Sequence, residues 1–290
     1  MRVAFGVVQV VIPSFFILPH LKILYILFTS KTFRTPSYRI LAQIQLVTVI
    51  LLPYYVLLGC SAIFHNELYG ITVIFANLAD ICITFLMVMD MVLALSRLKV
   101  MLELHYPASL DKSLQAFVWL GSLVLLCLIM SPMAGYKLAD DLSIVAPNIV
   151  LPWEKYRLSF ETNLGMFCSA TTFVFYLILV AYLVYKKCKT TNVALHVREK
   201  PILLQALVRF LGDLTLQVAF KIKIYIVPTE DGEEVMKMLS HVTDMVSMIN
   251  YICLPVCAFL VLNTSIRQAM AVPTRVSFLK RNTNSTNPIT

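Results

Sequence analysis

Charged residues are scarce in this chain of 290 residues. They make up 14% of the sequence and apolar residues make up 59%, whereas an ordinary soluble domain has about 25% charged residues. So few charges cannot cover the surface of a soluble protein of this size. The composition therefore excludes a soluble domain and a disordered chain, and the mean hydropathy of +0.80 indicates a membrane protein.

Glycine is also scarce, with 8 residues in the whole chain, which is about 3% against an average of about 7%. Transporters often contain helices broken by glycine and inverted sequence repeats, and this sequence has no self-similar halves. The scarcity of glycine argues against a transporter or channel. Both remain alternatives, together with a structural subunit embedded in the membrane.

The seven cysteines form no recognisable motif. Six of them lie within or at the ends of apolar segments, and Cys188 lies in a basic loop. Cys253 and Cys257 share a helical face without a nearby metal-ligating partner, so we expect them to pack as small apolar groups. The sequence contains neither G-x-S-x-G nor a glycine-rich phosphate loop. We therefore expect no metal, no cofactor and no enzyme activity.

Apolar residues are concentrated in seven segments, each long enough to cross a hydrocarbon core about 30 Å thick, which takes roughly 20 helical residues. These segments are residues 3–28, 40–63, 71–95, 116–135, 162–185, 202–227 and 238–262. The sixth is the weakest, because Arg209, Asp213, Lys221 and Lys223 interrupt it. The sequence predicts an all-α fold, with a seven-transmembrane helix bundle over residues 1–262. Residues 263–290 are expected to form a tail with a short amphipathic helix.

Lysine and arginine are unevenly distributed between the two ends of these segments. With the N-terminus outside, 15 of the 24 basic residues lie on the cytoplasmic side and 7 lie outside. Cytoplasmic loops accumulate basic residues, so we expect an extracellular N-terminus and a cytoplasmic C-terminus. The apolar stretch after Arg2 is too long for a signal peptide. The net charge of +8 then favours contact with anionic membrane lipids, and a nucleic-acid partner is discarded.

Polar side chains inside apolar segments are costly and normally face the interior of a helix bundle. On the third segment, Asn77, Asp80 and Thr84 share one helical face. Asp80 lies at a depth where a carboxylate could hold a cationic or hydrogen-bonding group of a small ligand. The alternative is a buried carboxylate that neighbouring helices satisfy. On the seventh segment, His241 and Asp244 belong to a second inward stripe, so we predict that these five residues line a ligand site.

Four short segments stand at the ends of the predicted helices. They are SYRILAQIQL opening the second helix, ALSRLKVML closing the third, EKPILLQAL opening the sixth and FLVLNTSIRQ closing the seventh. In this order they resemble the nematode serpentine chemoreceptors, a superfamily of G-protein-coupled receptors, and are most similar to its class T and class X groups. The four segments cover fewer than 50 residues, whereas the seven-helix frame extends over the whole chain.

The resemblance implies a plasma-membrane receptor, often found in the ciliary membrane of sensory neurons. Such a receptor binds a small environmental chemical, similar to an odorant or a tastant, and activates a heterotrimeric G protein. Arg97 matches the arginine that gates the G-protein pocket in this superfamily. Asn263 and Arg267 match its signature after the seventh helix, and Pro255 is expected to kink that helix.

The sequence also departs from the pattern of G-protein-coupled receptors. Ser96 precedes the arginine where an acid or asparagine is usual, and Leu254 and Ala258 replace the usual asparagine and tyrosine around Pro255. No cysteine lies between residues 136 and 161, so the common disulfide to the third helix is missing. A receptor that no longer signals is therefore the second alternative.

The expected topology makes a prediction for the glycosylation sequon Asn284-Ser285-Thr286. Because a cytoplasmic tail never meets the glycosylating enzymes, we predict that Asn284 carries no sugar in cells. The measurement is electrophoretic mobility with and without a glycosidase, compared with the Asn284→Gln variant. A glycosidase shift that Asn284→Gln abolishes would place the tail outside and invert the topology.

Overall fold

The computed structural model describes residues 2–30, 33, 35–66, 68–104, 107–138, 145–148, 150–189, 207–208, 210–219, 232–262 and 264–271. Most of the predicted sixth segment lies outside the described residues. So do Arg209, Lys221, Lys223, Asn263 and the sequon at Asn284.

The described part of the chain is mostly helical. Its helices are α1 (Arg2–Thr29), α2 (Pro36–Phe64), α3 (Ile71–Met101), α4 (Ala108–Ile129), α5 (Glu154–Lys189), α6 (Phe210–Ala219), α7 (Gly232–Met248), α8 (Leu254–Leu262) and α9 (Thr264–Ala271). A π-helical turn, Ile249–Cys253, joins α7 to α8. Among the described residues, six helical stretches are long and apolar enough to cross a membrane, α7 and α8 forming one of them, and α6 is a shorter apolar helix.

Local chemistry explains where several helices begin and end. Pro36 is the first residue of α2. The first N–H groups of a helix have no partner within the helix, so a proline at this position loses no hydrogen bond. His65 ends α2 in the left-handed conformation with φ 52°, a common way to stop a helix. Gly70, with φ 77°, precedes α3, and glycine adopts that conformation without the steric cost of a side chain. Left-handed residues at His65 and Gly70 thus end α2 and precede α3, and the two helices pack side by side.

Prolines also interrupt the long helices. Pro13 and Pro19 lie inside α1 and Pro53 lies inside α2, and membrane helices tolerate such residues where neighbours satisfy the freed backbone groups. Pro255 lies just after the π-helical turn. The N–H of Leu254, just before it, bonds to the carbonyl oxygen of Ile249, and Pro255 itself has no backbone N–H to donate.

The core lies along α2 and α3, which stand in the middle of the bundle. α2 packs against α1 and α3, and α3 also packs against α4 and α5. The largest fully buried side chains include Leu51 and Tyr55 of α2 and Leu86 and Met89 of α3. By contrast, only 11% of the apolar stretch of α4 is buried. The exposed apolar side chains of α4 suit contact with lipid.

The segment between α4 and α5 differs from the all-α expectation. Strands β1 (Tyr136–Leu138) and β2 (Val145–Pro147) form an antiparallel hairpin in which Tyr136 pairs with Pro147. α4 ends at Ile129, before the expected end at residue 135, and α5 begins at Glu154, before the expected start at residue 162. The helix starts early because the charged side chains of its first turns pair with one another and with α3, and this pairing offsets part of the cost of burying them.

The contact between α1 and α2 depends on a close approach at two glycines. A Cβ at Gly59 would lie 2.6 Å from the carbonyl oxygen of Gly6 and 2.8 Å from Val10 Cγ2. We expect Gly59→Ala to lower the free energy of unfolding by about 1–3 kcal/mol, because an overpacked interface must separate.

Gly121→Ala is the matched control, since a Cβ there meets no atom within 4 Å. It should be neutral or stabilise the helix by up to about 1 kcal/mol. Thermal unfolding of the detergent-solubilised protein measures both changes. Equal effects of the two substitutions would contradict the close approach of α1 and α2.

Candidate functional site

The face of α3 that carries Asn77, Asp80 and Thr84, which the sequence predicts to point inward, contacts the hairpin between α4 and α5. Asn77 and Thr84 are buried, and the Asn77 side-chain oxygen accepts a hydrogen bond of 3.0 Å from the backbone N–H of Tyr136. Asp80 Oδ1 accepts a hydrogen bond of 2.9 Å from the Tyr136 hydroxyl. Two of the three predicted residues on this face thus hold the first residue of β1.

A single guanidinium group connects Asp80 to the start of α5. Arg157 Nη1 binds Asp80 Oδ2 and also Glu161 Oε2, the latter at 2.6 Å. Arg157 Nη2 and Nε bind the two carboxylate oxygens of Glu154. We call Asp80, Tyr136, Glu154, Arg157 and Glu161 the Arg157 cluster.

The Arg157 cluster also holds the backbone of the hairpin. Glu154 Oε2 accepts a hydrogen bond of 2.8 Å from the N–H of Gly135, and the N–H of Trp153 donates to the carbonyl oxygen of Met133 at 3.0 Å. The Arg157 guanidinium lies 5.0 Å from the centre of the Tyr136 ring, within the range of a cation–π interaction. α3, β1 and α5 are therefore joined by charge and hydrogen bonding, and the six cysteines whose side chains the structure describes are free.

Tyr136 acts as a neutral donor in this cluster. Burial raises the pKa of its hydroxyl well above the usual value, and the negative charge of Asp80 raises it further, although Arg157 opposes both effects. The hydroxyl therefore keeps its proton and can donate it to Asp80 throughout the physiological range.

The predicted residues of α7 lie at the interface with α1 and α2. His241 is buried and stacks on the Phe5 ring, with ring centres 4.7 Å apart. Asp244 interacts electrostatically with Tyr54 of α2, and Tyr54 also interacts with Asp80 of α3. Charged groups of α3 and α7 therefore act on the same tyrosine. The ligand-binding role of these residues remains a prediction.

Buried polar contacts surround the π-helical turn in the middle of the bundle. Tyr55 and Ser247 are joined by a hydrogen bond of 2.8 Å between their hydroxyl groups. Asn250 donates to Asp213 of α6 at 2.8 Å, and this approach needs Gly212, because a Cβ there would lie 1.9 Å from Asn250 Oδ1. The turn is thereby tied to α2 and α6.

His20 adds a third connection to the π-helical turn. Its Nε2 lies 3.0 Å from the carbonyl oxygen of Ile252, and Gln45 Nε2 donates to its Nδ1. With this arrangement the imidazole carries its proton on Nε2 and donates it to Ile252. α1 and α2 therefore also hold the turn that precedes Pro255.

The opposite end of the bundle contains the residues predicted for G-protein coupling. Arg97 is partly buried near the end of α3, the neighbouring Ser96 is joined to Ser37 at 3.1 Å, and Lys99 forms an ion pair of 3.0 Å with Asp111 of α4. An open cavity of about 420 Å³ lies here. Its lining residues are Pro36, Ser96, Lys99, Val100, Glu103, Leu104 and Asp111.

The other residues predicted for coupling lie on α8 and α9. Pro255 is buried directly after the π-helical turn. Arg267 is exposed, and its Nη1 donates to the carbonyl oxygen of Leu260 at 3.4 Å. Asn263 lies outside the described residues.

Several residues of the site were missed by the sequence analysis. Glu154, Arg157 and Glu161 follow one another at intervals of three and four residues, which places them on one helical face. That spacing could have revealed the start of α5. No local pattern could have revealed the contact of His20 with Ile252, because 232 positions separate the two residues in the sequence.

Comparison with solved structures gives the fold. The crystal structure of squid rhodopsin matches this chain with a TM-score of 0.69 and 12% sequence identity, and the match covers 99% of this chain and 92% of that chain. No family model matches the sequence, and no curated protein matches it. The chain therefore has a fold like that of squid rhodopsin, and the long apolar helices among its described residues support a multi-pass membrane protein.

Removing the central cation of the Arg157 cluster should destabilise the protein strongly. Arg157→Met leaves three carboxylates together, two of them in contact with the hairpin, and breaking a buried ion pair costs about 3–5 kcal/mol. Thermal unfolding in detergent measures the loss. Arg157→Lys should lose less, because it keeps the charge but not the forked geometry.

Lys155→Met is the matched control, since Lys155 is exposed and lies next to the same helical turns. It should change the free energy of unfolding by less than about 0.5 kcal/mol. A loss for Arg157→Met no larger than that for Lys155→Met would refute the structural role of the cluster.

Proposed function

We propose that this protein is a chemosensory G-protein-coupled receptor in the plasma membrane. In this proposal, seven helices cross the membrane with the N-terminus outside and the C-terminus inside. A small molecule binds within the outer half of the bundle, and the inner end activates a heterotrimeric G protein. The observation that carries the proposal is the rhodopsin-like fold over 99% of the chain. The four segments similar to nematode serpentine chemoreceptors support the chemosensory role and a location in sensory cilia.

The outer half of the bundle offers polar groups to a ligand. Asp80 is the most exposed of the three carboxylates in the Arg157 cluster, with a side chain that is 20% exposed. Asn77, Thr84, His241 and Asp244 complete the proposed site, since Asp80 of α3 and Asp244 of α7 both interact electrostatically with Tyr54. A ligand can act only through its different affinities for the inactive and active arrangements, so contacts to more than one helix are needed.

α7 and α8 supply a connection between the two ends. Starting from His241 and Asp244, this stretch passes through the π-helical turn to Pro255 and continues into α9. Such turns mark functional sites in many helices, because a small shift can change the backbone hydrogen-bond register. Movement of the outer part of α7 would therefore change the position of α8 and α9 at the inner end.

The inner end has features that suit a protein partner. Arg97 lies beside Ser96, which lines the open cavity of about 420 Å³, and the ion pair between Lys99 and Asp111 holds α3 against α4. We propose that Arg97, Pro255, Asn263 and Arg267 take part in the switch that the G protein recognises. A small change in packing at Pro255 would alter the surface between α3 and α9.

The test is nucleotide exchange by a heterotrimeric G protein with the receptor in lipid vesicles, using a panel of small volatile and water-soluble chemicals. We expect at least one compound to accelerate exchange on the wild-type receptor. Arg97→Ala should abolish the acceleration while leaving surface expression unchanged, because the arginine acts at the inner surface rather than in folding.

Arg39→Ala is the matched control, because Arg39 is an exposed arginine near the same end of the bundle, and it should respond like the wild type. Equal responses of Arg97→Ala and the wild type would remove Arg97 from the switch. Solute or ion flux through the same vesicles without a G protein would instead favour the transporter or channel. A protein that folds and reaches the cell surface but never accelerates exchange would be a receptor that no longer signals.

A further inference from the structure

The first turns of α5 have two different faces. The Arg157 cluster occupies the buried face. On the other face, three aromatic side chains are each more than half exposed, namely Trp153, Tyr156 and Phe160, and their spacing of three and four residues places them side by side. Lys155 and Ser159, which are also exposed, form a polar stripe next to them. We call these five residues the α5 collar.

The composition of the α5 collar suits the headgroup region of a bilayer. Tryptophan and tyrosine accumulate there because their rings have an apolar body and a polar tip, and the rings of Trp153 and Tyr156 lie with their centres 6.4 Å apart. A lysine at this level can reach the lipid phosphates with its ammonium group. A surface in water would rarely expose three large aromatic rings together, and a surface in hydrocarbon would exclude Lys155.

The remainder of α5 gives the depth of the collar. From Met166 to Val184, every side chain that the structure describes as exposed is apolar, a length of about 27 Å at the usual helical rise, and the hydrocarbon core is about 30 Å thick. The exposed Tyr185 follows. From Tyr156 to Tyr185 the helix extends about 43 Å, which matches the roughly 40–45 Å of a bilayer with its headgroups. The two tyrosines therefore fit the two headgroup regions.

This depth accounts for the early start of α5. The apolar pattern predicts a segment from residue 162 because it detects the part of the helix that lies in hydrocarbon, whereas the helix itself begins at Glu154. The backbone joins the collar to the buried face. The N–H of Trp153 donates to Met133 at 3.0 Å, and its carbonyl oxygen accepts from the N–H of Arg157 at 2.9 Å. The collar and the Arg157 cluster are thus parts of one rigid helix start.

We propose that the α5 collar binds a phospholipid of the leaflet that faces this end of the bundle. The Lys155 ammonium group and the Ser159 hydroxyl donate to the lipid phosphate, and the aromatic rings pack against the upper part of the acyl chains. The positive charge of Lys155 is complementary to the phosphate. Binding fixes the depth of α5 and keeps the Arg157 cluster at the level of the headgroups, where charges cost less than in hydrocarbon. This inference goes beyond the proposed receptor function and does not depend on it.

The first test measures the depth of Trp153. The chain has two tryptophans, so Trp119→Phe leaves Trp153 as the only one. The protein is placed in lipid nanodiscs that contain either a phospholipid with a nitroxide on its headgroup or one with bromine in the middle of its acyl chains. We expect the headgroup nitroxide to quench the fluorescence of Trp153 more strongly than the bromine does.

Trp153→Phe is the matched control, because it leaves Trp119, which lies midway along α4. For Trp119 the order of quenching should be reversed. Since Trp119 donates a hydrogen bond to Gln43, Trp119→Phe can fail to fold, and the signal of Trp153 is then the difference between the wild type and Trp153→Phe. Stronger quenching of Trp153 by the bromine, or quenching by aqueous iodide alone, would overturn the proposal.

The second test measures recognition of the phosphate. Native mass spectrometry of the detergent-solubilised protein compares phosphatidylglycerol with a diacylglycerol that has the same acyl chains. We expect phosphatidylglycerol to bind more tightly, and Lys155→Met to lower its apparent affinity about fivefold. Lys137→Met is the matched control, because Lys137 is an exposed lysine on the hairpin at the same end. It should lower the affinity much less.

Two outcomes of the second test would refute the phosphate site. Equal binding of the two lipids would show that the phosphate is not recognised. Equal losses for Lys155→Met and Lys137→Met would show only a diffuse attraction between the basic residues and anionic lipid. Neither measurement involves a G protein, so the collar can fail while nucleotide exchange succeeds, and the reverse result would leave the collar in place.

Discussion

The buried guanidinium of Arg157 is the group on which the packing of α3, β1 and α5 depends. It draws carboxylates from α3 and from two turns of α5 to one point. Through Glu154 and Asp80, the same group holds the backbone of Gly135 and the hydroxyl of Tyr136. The position of the hairpin against α3 therefore depends on the positive charge of Arg157 and on the carboxylates that pair with it.

This arrangement performs the task of a crosslink without a covalent bond. The six cysteines whose side chains are described are free, so charge and hydrogen bonding hold α3, β1 and α5 together. Because breaking a buried ion pair leaves an uncompensated charge, each member of the cluster stabilises this contact strongly.

The middle of the bundle is held together by buried polar contacts around the π-helical turn. His20 of α1, Tyr55 of α2 and Asp213 of α6 each contact a residue in or next to the π-helical turn. The N–H of Leu254 at the end of this turn bonds to the carbonyl oxygen of Ile249, five residues earlier. Pro255 cannot donate the backbone hydrogen bond that a regular helix needs at its position, so the regular register is broken between α7 and α8.

The sequence alone indicated a membrane protein and predicted the six long apolar helices that the described residues contain, because the cost of placing charges in lipid is visible in composition and run length. It also indicated Asn77 and Asp80 as inward residues, since helical spacing follows from sequence. Only the tertiary structure decided that Asp80 meets Arg157 and that His20 meets Ile252. Those pairings join positions far apart in the chain, and the packing of whole helices brings them together, which no local pattern encodes.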